Sequence, residues 1–186
     1  MVKVEVDPRQ ARHLLSARPA VLVTSVGSDG KPNIIPIGWS MPTSFNPPLV
    51  AISVGVRRFS HELIEDSQEF VVNLPSKDMR DKIMVCGSCS GRRVNKFERA
   101  GLTPLKSLRV RPPRIKECVG HIECKLVDKL RTGDHTIFVG EVVASSADEE
   151  VLDESGTPSP LLAEPIYHLS GSDFGTLESK LETPKH

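Results

Sequence analysis

Short runs of apolar residues, separated by turn-forming residues, dominate the first three quarters of the chain. Four of them are rich in Val and Ile and are bounded by Gly, Pro, Asn or Asp: residues 20–26, 33–39, 48–56 and 69–74. Runs of this length and composition are typical of β-strands. The segment GSDGKP at 27–32 contains the residues that tight turns prefer. The pattern therefore predicts four strands, the first two joined in a hairpin.

A second hairpin is predicted further along the chain. Residues 121–130 alternate in polarity and place Ile122, Cys124 and Leu126 on one face, because successive strand residues point to opposite sides. The turn sequence RTGD then leads into a strand over 135–144. Strands at such short intervals favour an antiparallel barrel over alternating βα units.

The helical segments are short. Ser60 is a plausible N-cap for a helix through SHELIEDSQ, and Ser76 for one through SKDMRDKIMVC. The second helix would place three apolar residues near one face, namely Met79, Ile83 and Cys86. One or two turns over NKFERAG would end at Gly101.

One domain is expected over residues 1–170, since 186 residues suffice for a single core. Residues 145–165 are acidic and rich in Pro and Ser, which predicts a surface loop. Residues 171–186 are expected to form a C-terminal tail whose end frays.

The charge balance, the aromatic content and the N-terminal sequence limit which partners and which location we expect. Lys and Arg together number 24, as do Asp and Glu, and aromatic residues make up only 4%. A chain of zero net charge with few aromatics favours neither nucleic acid nor membrane as a partner. Because the N-terminus lacks an apolar signal-like centre and no run approaches about 20 apolar residues, we expect a cytoplasmic protein.

The four cysteines suggest metal or thiol chemistry, but their spacing supports neither well. Cys86-x2-Cys89 is followed by Cys118-x2-His121-x2-Cys124, enough ligands for tetrahedral zinc. On a strand, however, His121 and Cys124 would face opposite sides, and Cys118 would share the face of Cys124 at too great a distance. The Cys86–Cys89 pair follows a helix, where the dipole disfavours a thiolate, unlike the pairs of dithiol enzymes. We predict no metal site and reduced cysteines, although a catalytic dithiol stays open.

Familiar nucleotide and hydrolase motifs are absent from the sequence. There is no GxGxxG, no GxxxxGK[ST], no G-x-S-x-G and no HExxH. A nucleotide cofactor would therefore have to be held by a barrel and its loops.

Three segments could hold such a cofactor. GSCSGRR at 87–93 offers close backbone approach and two arginines for an anion, or is simply a solvated basic turn. Arg58 and Ser60 stand where a strand leads into a helix, which fits phosphate binding as well as an ordinary N-cap. Trp39 begins an irregular, Pro-restricted stretch that could contact a flat heterocycle or merely end a strand.

Taken together, these segments resemble one family. In order along the chain, RPAVLVTSVGSDGKPNIIPIGWSMPTSFNPPLVAISV, RRFSHELIEDSQEFVVNLPS, SGRRVNKFERAGLT, HIECKLVDKLRTGDHTIFVGEVV and the closing PLL…Y are similar to flavin reductase-like, FMN-binding split-barrel proteins, which include flavoredoxins. The similarity runs from about Arg18 to Tyr167. It departs at Asn95, where many relatives have Asp, which leaves Lys96 without a neighbouring carboxylate, and at Cys89.

The resemblance implies a mainly β fold: a six-stranded Greek-key split β-barrel, closed or nearly so, with short peripheral helices. It also implies a homodimer with FMN near the subunit interface. The residues that would contact FMN are Gly38, Trp39, Ser40 and Met41 at the ring, Ser53 and Val54 along it, Arg58, Ser60 and His61 at the phosphate, and Ser88, Cys89, Ser90 and Gly91 in a closing loop. His135, in the sequence GDH, would be a catalytic-site residue that orients the nicotinamide or the flavin, or would be a structural hydrogen-bonding residue.

The implied activity is that of an FMN-dependent oxidoreductase of flavin-reductase type. Hydride from NADH or NADPH would reduce FMN, and electrons would pass to free flavin, a ferric chelate or a redox protein. An FMN-binding electron carrier without nicotinamide activity is the main alternative. A disulfide reductase using Cys86 and Cys89, and a zinc-binding module, are further ones.

Overall fold

The computed structural model describes residues 1–179, and within them strands dominate. The strands are β1 (Arg18–Pro19), β2 (Val21–Val26), β3 (Pro32–Ile37), β4 (Ser40–Phe45), β5 (Pro48–Gly55), β6 (Glu69–Leu74), β7 (Pro104–Leu105), β8 (Arg114–Ile115), β9 (Gly120–Thr132), β10 (His135–Ala147), β11 (Ile166–Ser170) and β12 (Asp173–Thr176). The α-helices are α1 (Phe59–Ser67), α2 (Arg80–Ser88), α3 (Lys96–Ala100) and α4 (Pro160–Ala163). Three 3-10 helices cover Pro8–Leu15, Lys77–Met79 and Glu149–Val151.

Seven antiparallel strands form the main sheet, in the order β3-β2-β6-β9-β10-β5-β4. The four apolar runs are β2, β3, β5 and β6, and both predicted hairpins are present, β2–β3 and β9–β10. Gly30 closes the first turn with a backbone φ of 76°, a conformation that glycine adopts without strain. The predicted strands and hairpins are confirmed.

The sheet curls into a split barrel that differs in two respects from the expected one. It has seven strands, not six, and within residues 1–179 no ladder joins its end strands β3 and β4. The added strand is β4, which lies in the stretch that the sequence marks as irregular. A small sheet of β1, β11 and β12 and a two-stranded β7–β8 ribbon complete the fold.

Two clusters of buried side chains form the core. One lies inside the barrel and contains Ile52, Val54, Phe70, Cys124 and Phe138, with Ile122 and Leu126 packed against it. The predicted common face of Ile122, Cys124 and Leu126 is therefore confirmed. The other cluster lies between the sheet and α2 and α3, and it contains Cys118. The prediction that Cys118 shares the face of Cys124 is wrong, because β9 begins only at Gly120.

The helix ends agree with the sequence pattern in part. Met79, Ile83 and Cys86 are all buried in one cluster, as predicted, and Gly101 ends α3 with a φ of 59°. Ser60, however, is not the N-cap of α1. The cap is Arg58, whose extended backbone precedes the helix, and Ser60 lies one residue inside the first turn.

The acidic segment and the tail are more ordered in structure than the sequence suggests. β10 runs on to Ala147, and a 3-10 turn and α4 lie within the predicted loop over 145–165. β12 lies within the predicted tail over 171–186, where it pairs with β11. The expectation that the end of the tail frays concerns residues outside the described range. No helix within residues 1–179 is long and apolar enough to cross a membrane.

Candidate functional site

A cleft runs along the open side of the barrel, where β3 ends and β4 begins. Three adjoining cavities of about 380, 670 and 300 Å³ share Pro36 and His168 in their walls. A fourth, of about 210 Å³, continues past Gly38 and Trp39 toward β5. Secondary-structure ends supply most of the lining, so backbone groups that the sheet does not pair are available there.

One end of the cleft is strongly basic. The 670 Å³ cavity is lined by four cationic side chains, Arg57, Arg58, Arg93 and Lys96, and by the loop from Gly87 to Gly91. No Asp or Glu lines it. Among residues 1–179, none of these four cations lies within ion-pair distance of a carboxylate. Unpaired cations beside a Ser- and Gly-rich loop suit a phosphate-sized anion.

Asn33, Ser60 and Gly91 give this end a defined shape. The Nδ2 of Asn33 donates to Ser60 Oγ at 2.7 Å, so the Ser60 hydroxyl keeps its own hydrogen for an anion in the cavity. The Oδ1 of Asn33 is buried without a hydrogen-bond partner. A Cβ atom at Gly91 would lie 2.0 Å from that oxygen, so only glycine fits here. The sequence analysis did not identify Asn33 as a site residue, although an amide side chain within an otherwise apolar strand can indicate one.

Lys96 joins the two walls of the basic end. Its Nζ donates to the carbonyl oxygens of Ile34, at 2.8 Å, and Cys86, at 2.7 Å, although the residue is only 6% exposed. Burial lowers the pKa of this ammonium. Within residues 1–179 no carboxylate lies within ion-pair distance of Lys96, and two carbonyl oxygens hold the ammonium instead.

The two cysteines of the loop differ sharply. Cys86 is fully buried in α2, and burial raises the pKa of its thiol to about 11, which leaves it protonated near neutral pH. Cys89 is half-buried at the end of α2, where its Sγ donates to the Val85 carbonyl at 3.3 Å. All four cysteines are free thiols. The geometry gives Cys86 no activation as a nucleophile.

The other residues considered as metal ligands are hydrogen-bonded elsewhere or lie on opposite sides of a strand. His121 donates through Nε2 to the Ile115 carbonyl oxygen at 2.8 Å, while Cys124 lies on the opposite side of β9 in the barrel core. Their predicted opposite orientation is confirmed. Within residues 1–179, no group of three or more His, Cys, Asp or Glu is arranged to hold a metal.

The far end of the cleft is aromatic. Trp39 is 42% exposed, and its ring centroid lies 4.8 Å from that of His135. Asp134 Oδ1 lies 2.7 Å from His135 Nδ1, which orients the imidazole. The peptide N–H of Ser53 donates to the Trp39 carbonyl at 2.9 Å, which ties β5 to this rim. Gly38, Ser40, Met41 and Ser53 also line the cleft.

Two predicted contact residues do not reach the cleft with their side chains. Val54 is fully buried in the barrel core. His61 is buried on the inner side of α1, where Nε2 lies 2.8 Å from Thr136 Oγ1 and Nδ1 lies 3.5 Å from Glu65. This corrects the expectation for both side chains, because the helix and strand periods turn them inward.

The ends of the chain complete the cleft with residues that the sequence pattern did not mark. Arg12 and Arg18 come from the N-terminal segment, and His168, Gly171 and Phe174 from the β11–β12 hairpin. No local motif signals them, since only the pairing of β1 with β11 brings them to the site.

A split antiparallel barrel with a basic cleft at its open side is typical of flavin-associated domains. The similarity of this chain to known proteins agrees with that class. A family model described as "Flavin reductase like domain" matches residues 13–170, and the chain belongs to this family. An uncharacterized protein of Archaeoglobus fulgidus is 38% identical over 131 residues, covering 70% of this chain and 72% of the relative.

Two solved structures are similar over nearly the whole chain. Flavoredoxin of Desulfovibrio vulgaris (Miyazaki F) superposes with a TM-score of 0.88 at 26% identity, covering 98% of this chain and 97% of that one. Flavoredoxin from Methanosarcina acetivorans gives a TM-score of 0.88 at 25% identity, with 98% and 95% coverage.

Proposed function

We propose that this protein is an FMN-dependent oxidoreductase of flavin-reductase type. It would take hydride from NADH or NADPH and pass electrons to free flavin, a ferric chelate or a redox protein. The observation that carries the proposal is one continuous cleft with an anion-binding end and an exposed aromatic end. A phosphate-bearing flat heterocycle such as FMN matches both ends, and membership of the flavin reductase-like family favours it.

The residues of the basic end fit the FMN phosphate. Arg58 and the Ser60 hydroxyl offer donors on one side, and the Ser88–Gly91 loop offers the Ser90 hydroxyl and peptide N–H groups on the other. The Ser88 hydroxyl donates to the Val85 carbonyl at 3.0 Å instead. The close approach of Gly91 to Asn33 keeps the loop against β3. Bound FMN would supply the hydride and electron chemistry, which no side chain here provides.

The aromatic end would position the substrate. Trp39 and His135 leave an exposed rim where a nicotinamide can approach the cofactor. Asp134 fixes the His135 ring, so the imidazole can present Nε2 to substrate as a hydrogen-bonding group. Hydride transfer between two heterocycles requires alignment and does not require a protein acid or base.

The visible spectrum of the purified protein tests the cofactor. We expect a yellow protein that releases FMN on denaturation, or an apoprotein that binds added FMN. Replacing Arg58 with Gln should weaken FMN binding by about tenfold or more, the loss of one charge-assisted hydrogen bond. Arg99→Gln is the matched control, because Arg99 is exposed on α3 outside the cleft. A colourless protein that gains no flavin on titration would contradict the proposal.

The likeness to two flavoredoxins supports a second candidate, an FMN-binding electron carrier without nicotinamide activity. Stopped-flow reduction separates the two. Bleaching of the flavin by NADH or NADPH supports the reductase. Bleaching only by a reduced ferredoxin supports the carrier. We also propose that the protein is cytoplasmic and that it forms a homodimer with FMN near the subunit interface.

A further inference from the structure

Three arginines surround the cavity of about 300 Å³ at the aromatic end, and the FMN phosphate would not use all of them. Arg12, Arg18 and Arg58 line it together with Trp39 and His135. We propose that Arg12 and Arg18 form a second anion site, which binds the pyrophosphate of the dinucleotide substrate. This inference rests on the proposed function, because it assigns the residues that hold the reducing substrate.

Arg18 is fixed in position by the strand and by one hydrogen bond, and its guanidinium keeps an N–H group without a partner. It belongs to β1, which pairs with β11 opposite His168, and its Nη1 donates to the Arg12 carbonyl at 3.1 Å. Its Nε is buried and has no hydrogen-bond partner within residues 1–179. A buried guanidinium N–H without a partner carries a desolvation cost that an oxyanion in the cavity would remove.

The charge of this cavity is not neutralised from within the described chain. Five arginines elsewhere in the described chain have carboxylate partners, namely Arg9, Arg80, Arg92, Arg111 and Arg114, and five others, among them Arg57 and Arg93 of the basic end, have none. Within residues 1–179, Arg12, Arg18 and Arg58 have none, and no carboxylate lines the cavity. Asp134, which borders the region, is engaged with His135 Nδ1. Guanidinium groups stay charged at any physiological pH and bind phosphate oxygens in pairs.

The position of the arginines separates this site from the FMN phosphate site. The other end of the cleft is lined by Lys96, Arg93, Ser60 and the Ser88–Gly91 loop, and Arg58 is the one arginine that lines both cavities. Arg12 and Arg18 stand instead beside Trp39 and His135, where a nicotinamide would lie. A dinucleotide places a pyrophosphate close to its nicotinamide, so one substrate would satisfy both features.

The test uses the FMN-loaded protein with NADP⁺ and inorganic pyrophosphate as probes. Binding is measured by calorimetry, and KM and kcat are measured with NADPH and NADH. We expect Arg18→Gln to raise the dissociation constants of both probes and the KM by about tenfold or more, the loss of one charge-assisted contact. The value of kcat should change less than twofold, and the FMN dissociation constant should not change. Arg18→Lys should recover only part of the loss, since it lacks the paired donors.

Arg9→Gln is the matched control, because Arg9 lies in the same N-terminal segment but is paired with Asp7 and does not line the cavity. It should leave every constant unchanged. An Arg18→Gln protein with unchanged probe binding overturns the inference, as does one that loses FMN to the same degree. If the flavin is not reduced by either nucleotide but NADP⁺ and pyrophosphate still bind through Arg18, the site stands and the reductase proposal falls.

Discussion

The absence of a side chain at Gly91 allows the anion-binding end of the cleft to form. A Cβ there would lie 2.0 Å from Asn33 Oδ1 and 2.6 Å from its Cγ, so Gly91→Ala must displace the loop or the amide. A shift of the amide breaks the hydrogen bond from Asn33 to Ser60, and a shift of the loop moves its donors away from that pair. We therefore expect the FMN dissociation constant to rise by about tenfold or more, measured by titration of the apoprotein.

Gly120→Ala is the control for this variant. Its Cβ would meet Leu74 at 3.7 Å, an ordinary contact far from the cleft. FMN affinity that is equal in Gly91→Ala and in the parent protein would contradict the assigned role of the loop.

Thiol reactivity tests the interpretation of the two loop cysteines. Cys89 is half-buried, whereas Cys86, Cys118 and Cys124 are buried, and burial raises the pKa of each buried thiol. One thiol per chain should therefore react rapidly with a thiol reagent in the native protein, and four after unfolding. Cys89→Ser should abolish the rapid phase, and bound FMN should slow it. Two rapid thiols, one of them Cys86, would restore the dithiol hypothesis.

Individual site residues were predictable where the chemistry is local. Arg58, Ser60 and the Ser88–Gly91 loop stand out because Gly, Ser and Arg follow one another. Lys96 is different: its partners are carbonyls on β3 and α2, and no pattern near residue 96 encodes them. The inward turn of His61 likewise depends on where α1 packs, which the sequence does not state.

The hairpin of β9 and β10 depends on a close approach at Gly140. A Cβ there would lie 2.6 Å from Phe70 Cζ and 2.7 Å from Cys124 Cβ, both in the barrel core. We expect Gly140→Ala to reduce the free energy of unfolding by about 1–3 kcal/mol, the usual cost of overpacking. Urea unfolding measures it, with Gly120→Ala on β9 as the control. Equal stability of the two variants would show that the strands can separate without cost.

Strands could be predicted where their own residues show a clear hydrophobic pattern. The four apolar runs and the alternating hairpin became strands because burial of one face fixes them. β4 was missed since Pro42 and two further prolines follow Trp39, yet an edge strand tolerates proline. β12 was missed because Asp173–Thr176 has no strand pattern of its own and is ordered by pairing with β11.

Acid should weaken the whole fold through two buried histidines. Burial lowers the pKa of His61, against the opposing effect of Glu65, and burial also lowers the pKa of His121. Below about pH 6.5 the unfolded chain binds protons that the folded chain does not, so the free energy of unfolding falls as pH falls. Urea unfolding between about pH 7 and about pH 5.5 measures the slope.

His121→Gln should flatten this pH dependence, whereas His13→Gln, at an exposed position, should leave it as in the parent. A slope that is unchanged in His121→Gln would show that other groups govern acid stability in this range.

The outer face of the barrel gives the proposed homodimer a physical basis. Strand register places Met41, Ala51, Ile137, Val139 and Leu130 on the side opposite the core residues Ile52 and Phe138. Met41 is 59% and Leu130 is 61% exposed in the single chain. Ser53 and Asp128 lie on the same side, paired with Ile137 and Val139, so the face combines apolar and polar residues. Such a face suits a subunit interface, and Met41 and Ile137 also line the cavity next to Trp39. Cofactor and interface would then adjoin.

Leu130→Asp tests the assembly without altering a cleft residue. We expect the parent to sediment as a dimer and the variant to shift to monomer, because a carboxylate buried without a partner opposes association. Leu108→Asp, at an exposed site off this face, is the control and should remain dimeric. FMN affinity should fall together with the dimer if the cofactor lies near the interface. A parent that is monomeric, or a Leu130→Asp dimer as stable as the parent, would contradict this arrangement.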